Sequence, residues 1–372
     1  MQLSKITAIA IITSSMVQAE NYVSVEYLQY DESDSRVSVS APSLSLSYDI
    51  GTDYNIKADF VHDAVSGATP SWKGDTASGA SAKGESSSDY VYGNQEFDEE
   101  RNAGSIVLTT RFDNRDELYT GLDYSRESDF DSKSVSAEYM HYTDSSHNQS
   151  ITIGASYAYN EILSYDYYDT GSGASQKETS SSINAELGLS QVLDAKSSLK
   201  VAGFVISDDG YLDNAHASVI RDYKGANRRQ TSEKRPDTRL AYGADVKYIR
   251  LLTDDLSYQV GYRFYDDDWG IGSHTINNDV YYKVTDNLTL GAGVRYYAQS
   301  EADFYNGKKD FFTNEEYASS DERLSDFDAL TYKASVDYKF SDTMSFNLGG
   351  EFYTQSTGLD ATIITTGIKY RY

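Results

Sequence analysis

Stretches of about ten residues in which every second side chain is apolar recur along nearly the whole chain, and they constrain its fold more than any other feature. Ile106, Leu108, Thr110 and Phe112 alternate with Val107, Thr109 and Arg111. Leu118, Thr120, Leu122 and Tyr124 do the same, as do Ile151 to Tyr159, Ile183 to Leu189, Leu240 to Tyr248 and Leu256 to Phe264. Further on come Val280 to Val284, Leu288 to Tyr296, Leu330 to Tyr338, Phe346 to Phe352 and Ile364 to Tyr372. A two-residue period puts alternate side chains on opposite faces of a strand. A helix would need apolar residues at i, i+3 and i+4, and no segment after residue 19 fits that spacing better.

The connections discriminate among all-β folds. From Asn21 onward about 16 strands can be counted, joined alternately by short and long segments, as in single-chain membrane barrels. The short ones are turn-like: GTD (51–53), DNRD (113–116), TDSSHN (143–148), DAKSS (194–198), TDD (253–255), TDN (285–287) and SDT (341–343). The longest intervening ones are expected over 63–102, 160–181, 207–237 and 299–327, and Pro42 predicts a bulge or break in the second strand. A soluble sandwich does not require this alternation. The expected fold is therefore all-β: a transmembrane antiparallel up-and-down β-barrel with periplasmic termini. Aromatics gather at strand ends, as in Tyr157 and Tyr159 or Tyr296 and Tyr297, where a membrane places its girdles.

Composition agrees. The chain has 34 Tyr and no Cys, so low hydrophobicity does not signal disorder and no disulfide is available. The start MQLSKITAIAIITSSMVQAE carries Lys5, an apolar run to Met16, and small residues at Val17 and Ala19. This predicts a signal peptide over 1–19 and a barrel over 20–372, exported to the outer membrane of a Gram-negative bacterium.

A barrel of this width holds an aqueous lumen unless loops fill it. Alternation places Arg239, Asp245, Arg263, Asp279, Arg295, Asp337, Glu351 and Lys369 on the inner wall. They would line a selective pore or pair into a network that stiffens or plugs the barrel. The net charge of −26 lies largely in segments such as NQEFDEER (94–101) and NEEYASSDERLSDFD (314–328). Such a surface attracts cations and disfavours nucleic acid. It would hold Ca²⁺ shared with lipopolysaccharide phosphates, or simply confer solubility.

The most distinctive stretch is YRFYDDDWGIGSH, Tyr262 to His274. Ser273 and His274 are adjacent on a strand and point to opposite faces, so they make no nucleophile–base pair. No catalytic residue, cofactor or metal is assigned. Trp269 is expected to act as an anchor, and Gly270 and Gly272 to shape a tight external connection.

Three segments, RPDTR (235–239), YRFYDDDWGIGSHT (262–275) and VRYYAQSEADFY (294–305), resemble an outer-membrane family catalogued as domain of unknown function 3570. DAVSGATP (63–70) fits the same pattern. The resemblance implies a barrel and no reaction. By position, it marks Arg235, Pro236, Asp237, Arg239, Asp268, Trp269, Gly270, Ser273, His274, Arg295, Tyr296 and Gln299 as family-type residues.

The segment TGIKYRY, with Gly367, Tyr370 and Tyr372, resembles the terminal signal read by the barrel-assembly machinery. Deleting Tyr372 is expected to lower membrane insertion, measured as the heat-modifiable fraction in outer-membrane preparations; unchanged insertion would count against the signal. The expected partners are that machinery, outer-membrane lipid and lipopolysaccharide, with room for a homo-oligomer or a periplasmic partner. The expected role is a passive, porin-like and cation-favouring pore. The alternative is a plugged scaffold barrel presenting acidic loops.

Overall fold

The structure, a computed structural model, describes residues 21–33, 36–73, 91–166, 174–215, 217–222, 229–307 and 314–372. The expected signal peptide lies outside them. The strands are β1 (Tyr22–Glu32), β2 (Val37–Ile50), β3 (Tyr54–Lys73), β4 (Val91–Arg111), β5 (Glu117–Arg126) and β6 (Phe130–Tyr142). They continue with β7 (Gln149–Asp166), β8 (Ala174–Asp194), β9 (Ser197–Gly210), β10 (Ser218–Arg221), β11 (Arg229–Ser232) and β12 (Thr238–Leu251). The last six are β13 (Leu256–Asp267), β14 (Gly272–Thr285), β15 (Leu288–Gln299), β16 (Phe327–Lys339), β17 (Met344–Gln355) and β18 (Asp360–Arg371).

All but β10 and β11 form one closed antiparallel barrel of 16 strands in chain order, with β9 paired directly to β12. β18 returns to β1 with Val25 opposite Ile368 and Tyr27 opposite Thr366, so the barrel has no open edge. β10 and β11 form a separate hairpin.

The alternation reads out as two unlike surfaces. Leu122, Ile153, Ile183 and Leu187 are more than half exposed and point outward, while Ser47, Asn55, Thr109 and Thr152 are buried within the wall. Leaving such apolar side chains in water would forgo roughly 1.5–3 kcal/mol each. Lipid removes that penalty, and barrel closure satisfies the backbone. At the short-turn end, Phe112 packs on Tyr139 and Tyr338 on Phe340, with ring centroids 6.4 and 5.0 Å apart, as an interfacial girdle does.

Two sequence expectations change. β2 runs unbroken through Pro42, which faces Tyr27 of β1, and its ladder to β3 keeps one register on either side, Ser40 opposite Ala64 and Ser43 opposite Val61. The proline removes one donor without inserting a residue. The expected loops 63–102 and 160–181 are largely strand, because β3 extends to Lys73 and β4 starts at Val91, while β7 extends to Asp166 and β8 starts at Ala174. β4 pairs with β5 only from Asn102 onward, so its outer half projects as a hairpin with β3 alone. The projecting pairing lies beyond the lipid-facing wall. The two-residue hydrophobic signal then disappears, although backbone pairing persists.

Candidate functional site: a charged lumen beneath a folded cap

The inner wall carries both signs of charge, and these pair across strands. Asp245 of β12 meets Arg263 of β13 at 3.7 Å, and Asp279 of β14 meets Lys333 of β16 at the same distance. Arg263 also lies over the Phe204 ring of β9 at 4.4 Å, and Arg295 over Tyr297 at 5.7 Å. Glu351 stands opposite Lys333 in the β16–β17 register. Toward the periplasmic end, a recess of about 400 Å³ is lined by Asp337, Lys283, Lys339, Lys369 and Arg371. Lys369 there covers the Tyr22 ring at 4.2 Å.

The external end is built differently. The turn between β13 and β14 is organised by Asp267, which is buried. Its Oδ1 accepts the backbone N–H groups of Trp269 (3.0 Å) and Ile271 (2.9 Å), and its Oδ2 accepts Tyr265 Oη–H (2.8 Å) and Arg239 Nε–H (2.8 Å). Arg239, expected to line the lumen, stacks its guanidinium on Trp269 at 4.7 Å. It thus braces the turn and is not left for passing ions. Asp268 accepts the Leu240 N–H at 2.9 Å, tying the turn to β12. Gly270 has φ +87°, a backbone conformation that side-chain-bearing residues rarely adopt, and a Cβ there would also displace the Asp303 carboxylate.

Trp269 is indeed an anchor, but of a loop core. It is 4% exposed, donates Nε1–H to the Thr238 carbonyl at 2.9 Å, and meets Phe304 edge-on at 5.1 Å. Leu212, Ile271, Ala302, Phe304 and Leu324 complete that core. Each large apolar member contributes roughly 1.5–3 kcal/mol by leaving water. The core unites three connections: residues 211–237, 268–271 and 300–326.

A buried ionic cluster joins the first and third of these connections. Arg235 is 4% exposed; its Nε lies 2.6 Å from Glu233 and its Nη2 donates to Asp321 at 2.8 Å. Glu233 also accepts the Asn214 N–H (2.6 Å) and Ser319 Oγ–H (2.5 Å), and Asp321 accepts Arg323 Nε–H (2.8 Å). Burial alone would push the Asp321 carboxyl up, but the Arg323 and Arg235 guanidiniums override it and hold it well below the usual carboxylate range. Lys234 and Ala318 exchange both backbone hydrogen bonds, at 3.0 and 2.8 Å.

This assembly reaches over the lumen. The β10–β11 hairpin, which leaves the wall between β9 and β12, lies against β3, six strands around the ring. Arg36, between β1 and β2, stands 3.8 Å from Glu322 of the third connection. The external loops therefore interlock across the mouth as a cap.

Ser273 and His274 do point to opposite faces. Ser273 is buried, while His274 is exposed and shares a 2.8 Å hydrogen bond with Tyr262 Oη. The family-type residues Arg235, Arg239, Asp268, Trp269, Gly270 and Gln299 converge on the cap. Gln299 Nε2 donates to the carbonyls of Arg323 (3.0 Å) and Ser325 (2.6 Å). Gly367, Tyr370 and Tyr372 sit elsewhere, on and beside the β18 end of the seam with β1. Sequence reasoning missed Glu233, Asp267 and Asp321 as the cap's carboxylates. The usable signal was EKR (233–235) facing SDER (320–323), opposite charges in two distant loops.

The model of a family described as protein of unknown function (DUF3570) matches residues 4–367. No curated protein sequence matches the chain. Among solved structures, CdiB from Acinetobacter baumannii superposes with a TM-score of 0.53 at 8% identity, over 95% of this chain and 60% of that one. A ferric enterobactin receptor (PfeA) mutant from Pseudomonas aeruginosa gives 0.48 at 10% identity, over 91% and 54%. The CymD monoaromatic hydrocarbon channel gives 0.43 at 11%, over 96% and 89%. The chain spans about half the length of the ferric enterobactin receptor.

Proposed function

We propose, from the premise that the chain belongs to the DUF3570 family of outer-membrane barrels, that it is a channel-like barrel gated at its external mouth by its own loops. No reaction is assigned to it. The observation that carries this reading is the reach of β10–β11 from β9 to β3, locked by Arg235 between Glu233 and Asp321. Beneath the cap, solute would pass Asp245, Arg263, Asp279, Arg295, Asp337, Glu351 and Lys369. These residues mix both signs, so the cation preference expected from the acidic loops belongs to the exterior and not to the wall.

Purified barrel in a planar bilayer should show rare, brief conductance steps. A steady ohmic current from the unaltered protein would sink the gate. Silence from both the unaltered chain and cap variants would favour the alternative, a sealed scaffold presenting acidic loops to lipopolysaccharide or a partner. Arg295→Ala should shift the reversal potential in a salt gradient toward cations, since it removes a positive group from the lumen. An unchanged potential would remove Arg295 from the pathway.

A further inference from the structure

Apart from the cap carboxylates Asp267, Glu233 and Asp321, another group of acidic side chains outside the membrane is withdrawn from water. Glu99 lies on the projecting half of β4, and Glu127 and Asp129 lie in the connection between β5 and β6. One carboxylate oxygen from each falls within 4.8 Å of the other two. Glu127 is 8% exposed and Asp129 6%. The Glu127 carboxylate is aimed into this group and, among the described residues, makes neither a hydrogen bond nor an ion pair. The Arg101 guanidinium, whose charge acts on Glu127, is bonded to Asp63 instead, donating Nε–H to Oδ2 at 2.6 Å. Burial of a carboxylate whose nearby positive group is engaged elsewhere is costly.

We propose that Glu99, Glu127 and Asp129 bind a hard divalent cation of the calcium class. The donor set is all oxygen, with neither His nor Cys, which suits Ca²⁺ over softer metals. The site is held from three sides. Ser128 Oγ–H donates to Glu99 Oε1 at 2.9 Å, the Asp129 carbonyl accepts the Leu163 N–H of β7 at 2.8 Å, and the Glu127 N–H bonds the Phe130 carbonyl at 2.8 Å. A cation here would staple the base of the projecting β3–β4 hairpin to the β5–β6 connection. Three carboxylates offer charge beyond what one divalent ion needs, and waters would complete the six to eight oxygen ligands that Ca²⁺ takes. This site is independent of the gate, since none of its residues belongs to the cap.

The full-length barrel, folded in detergent and stripped with chelator, is titrated calorimetrically with CaCl₂. One saturable site is expected with Kd of about 10⁻⁴–10⁻³ M, the range of extracellular calcium modules. Glu127→Gln and Glu99→Gln should each weaken it roughly tenfold or more, since affinity follows ligand charge. Asp254→Asn, an exposed periplasmic carboxylate, should leave it unchanged. If Glu127→Gln fails to fold, Glu99→Gln carries the comparison. No saturable binding below ~10 mM, equal binding in the folded Glu variants, or equal weakening by Asp254→Asn would each overturn the assignment.

Discussion

Replacing Arg235 with alanine should turn a barrel that conducts rarely into one that conducts for long periods. The guanidinium sits between two carboxylates from two different connections, and all three groups are withdrawn from water. Removing it leaves Glu233 and Asp321 buried with one positive partner lost, a change of about 3–5 kcal/mol for a buried pair. At 1.4 kcal/mol per tenfold, the ratio of opened to closed cap would rise roughly 10²- to 4 × 10³-fold. The wall would be spared, because neither loop carries barrel ladder bonds at this point. Heat-modifiable migration on a gel should therefore match the unaltered protein while the open fraction in a bilayer climbs. Arg235→Lys keeps the charge but not the two-armed geometry, and should fall between the two. A correctly folded Arg235→Ala barrel that conducts no more than the parent would show that the cap is not the gate.

The contrast between wall and cap explains what could be read from the residues. Each strand face was legible because lipid on one side and water on the other impose a period of two, and Ile153 and Leu187 could not face elsewhere at tolerable cost. The short turns were legible because Asp, Asn, Ser and Gly close them. The β3–β4 projection was not, since backbone pairing alone can hold a hairpin without the two-residue hydrophobic period. Trp269 and Gly270 stood out as unusual, yet their purpose depended on partners far along the chain. Arg235 and Asp321 are separated by 86 residues, and nothing in either loop's own pattern brings them together. Glu127 looked like one acid among many, because burial at a loop is a tertiary property.

Gly243→Val should prevent the barrel from forming, an effect larger than any single charge in the lumen would produce. A Cβ at this position of β12 would lie 2.3 Å from Phe204 Cζ and 2.3 Å from the Phe264 carbonyl oxygen. The first obstacle is a ring pinned beneath Arg263, itself paired with Asp245, and the second is backbone of the neighbouring strand. The ring cannot leave without exposing itself and breaking that pair, and the carbonyl cannot leave without breaking the ladder. Overpacking of even a methylene in a full site costs about 1–3 kcal/mol, and a branched side chain against backbone demands more. Gly350 supplies the control: a Cβ there meets nothing within 4 Å. Gly350→Val should fold and gain strand propensity on the lipid face. The expected gel therefore shows no heat-modifiable species for Gly243→Val and a normal one for Gly350→Val. A Gly243→Val barrel that folds like the parent would mean that Phe204 can vacate its place, and with it that the Arg263–Asp245 pair does not hold this part of the lumen rigid.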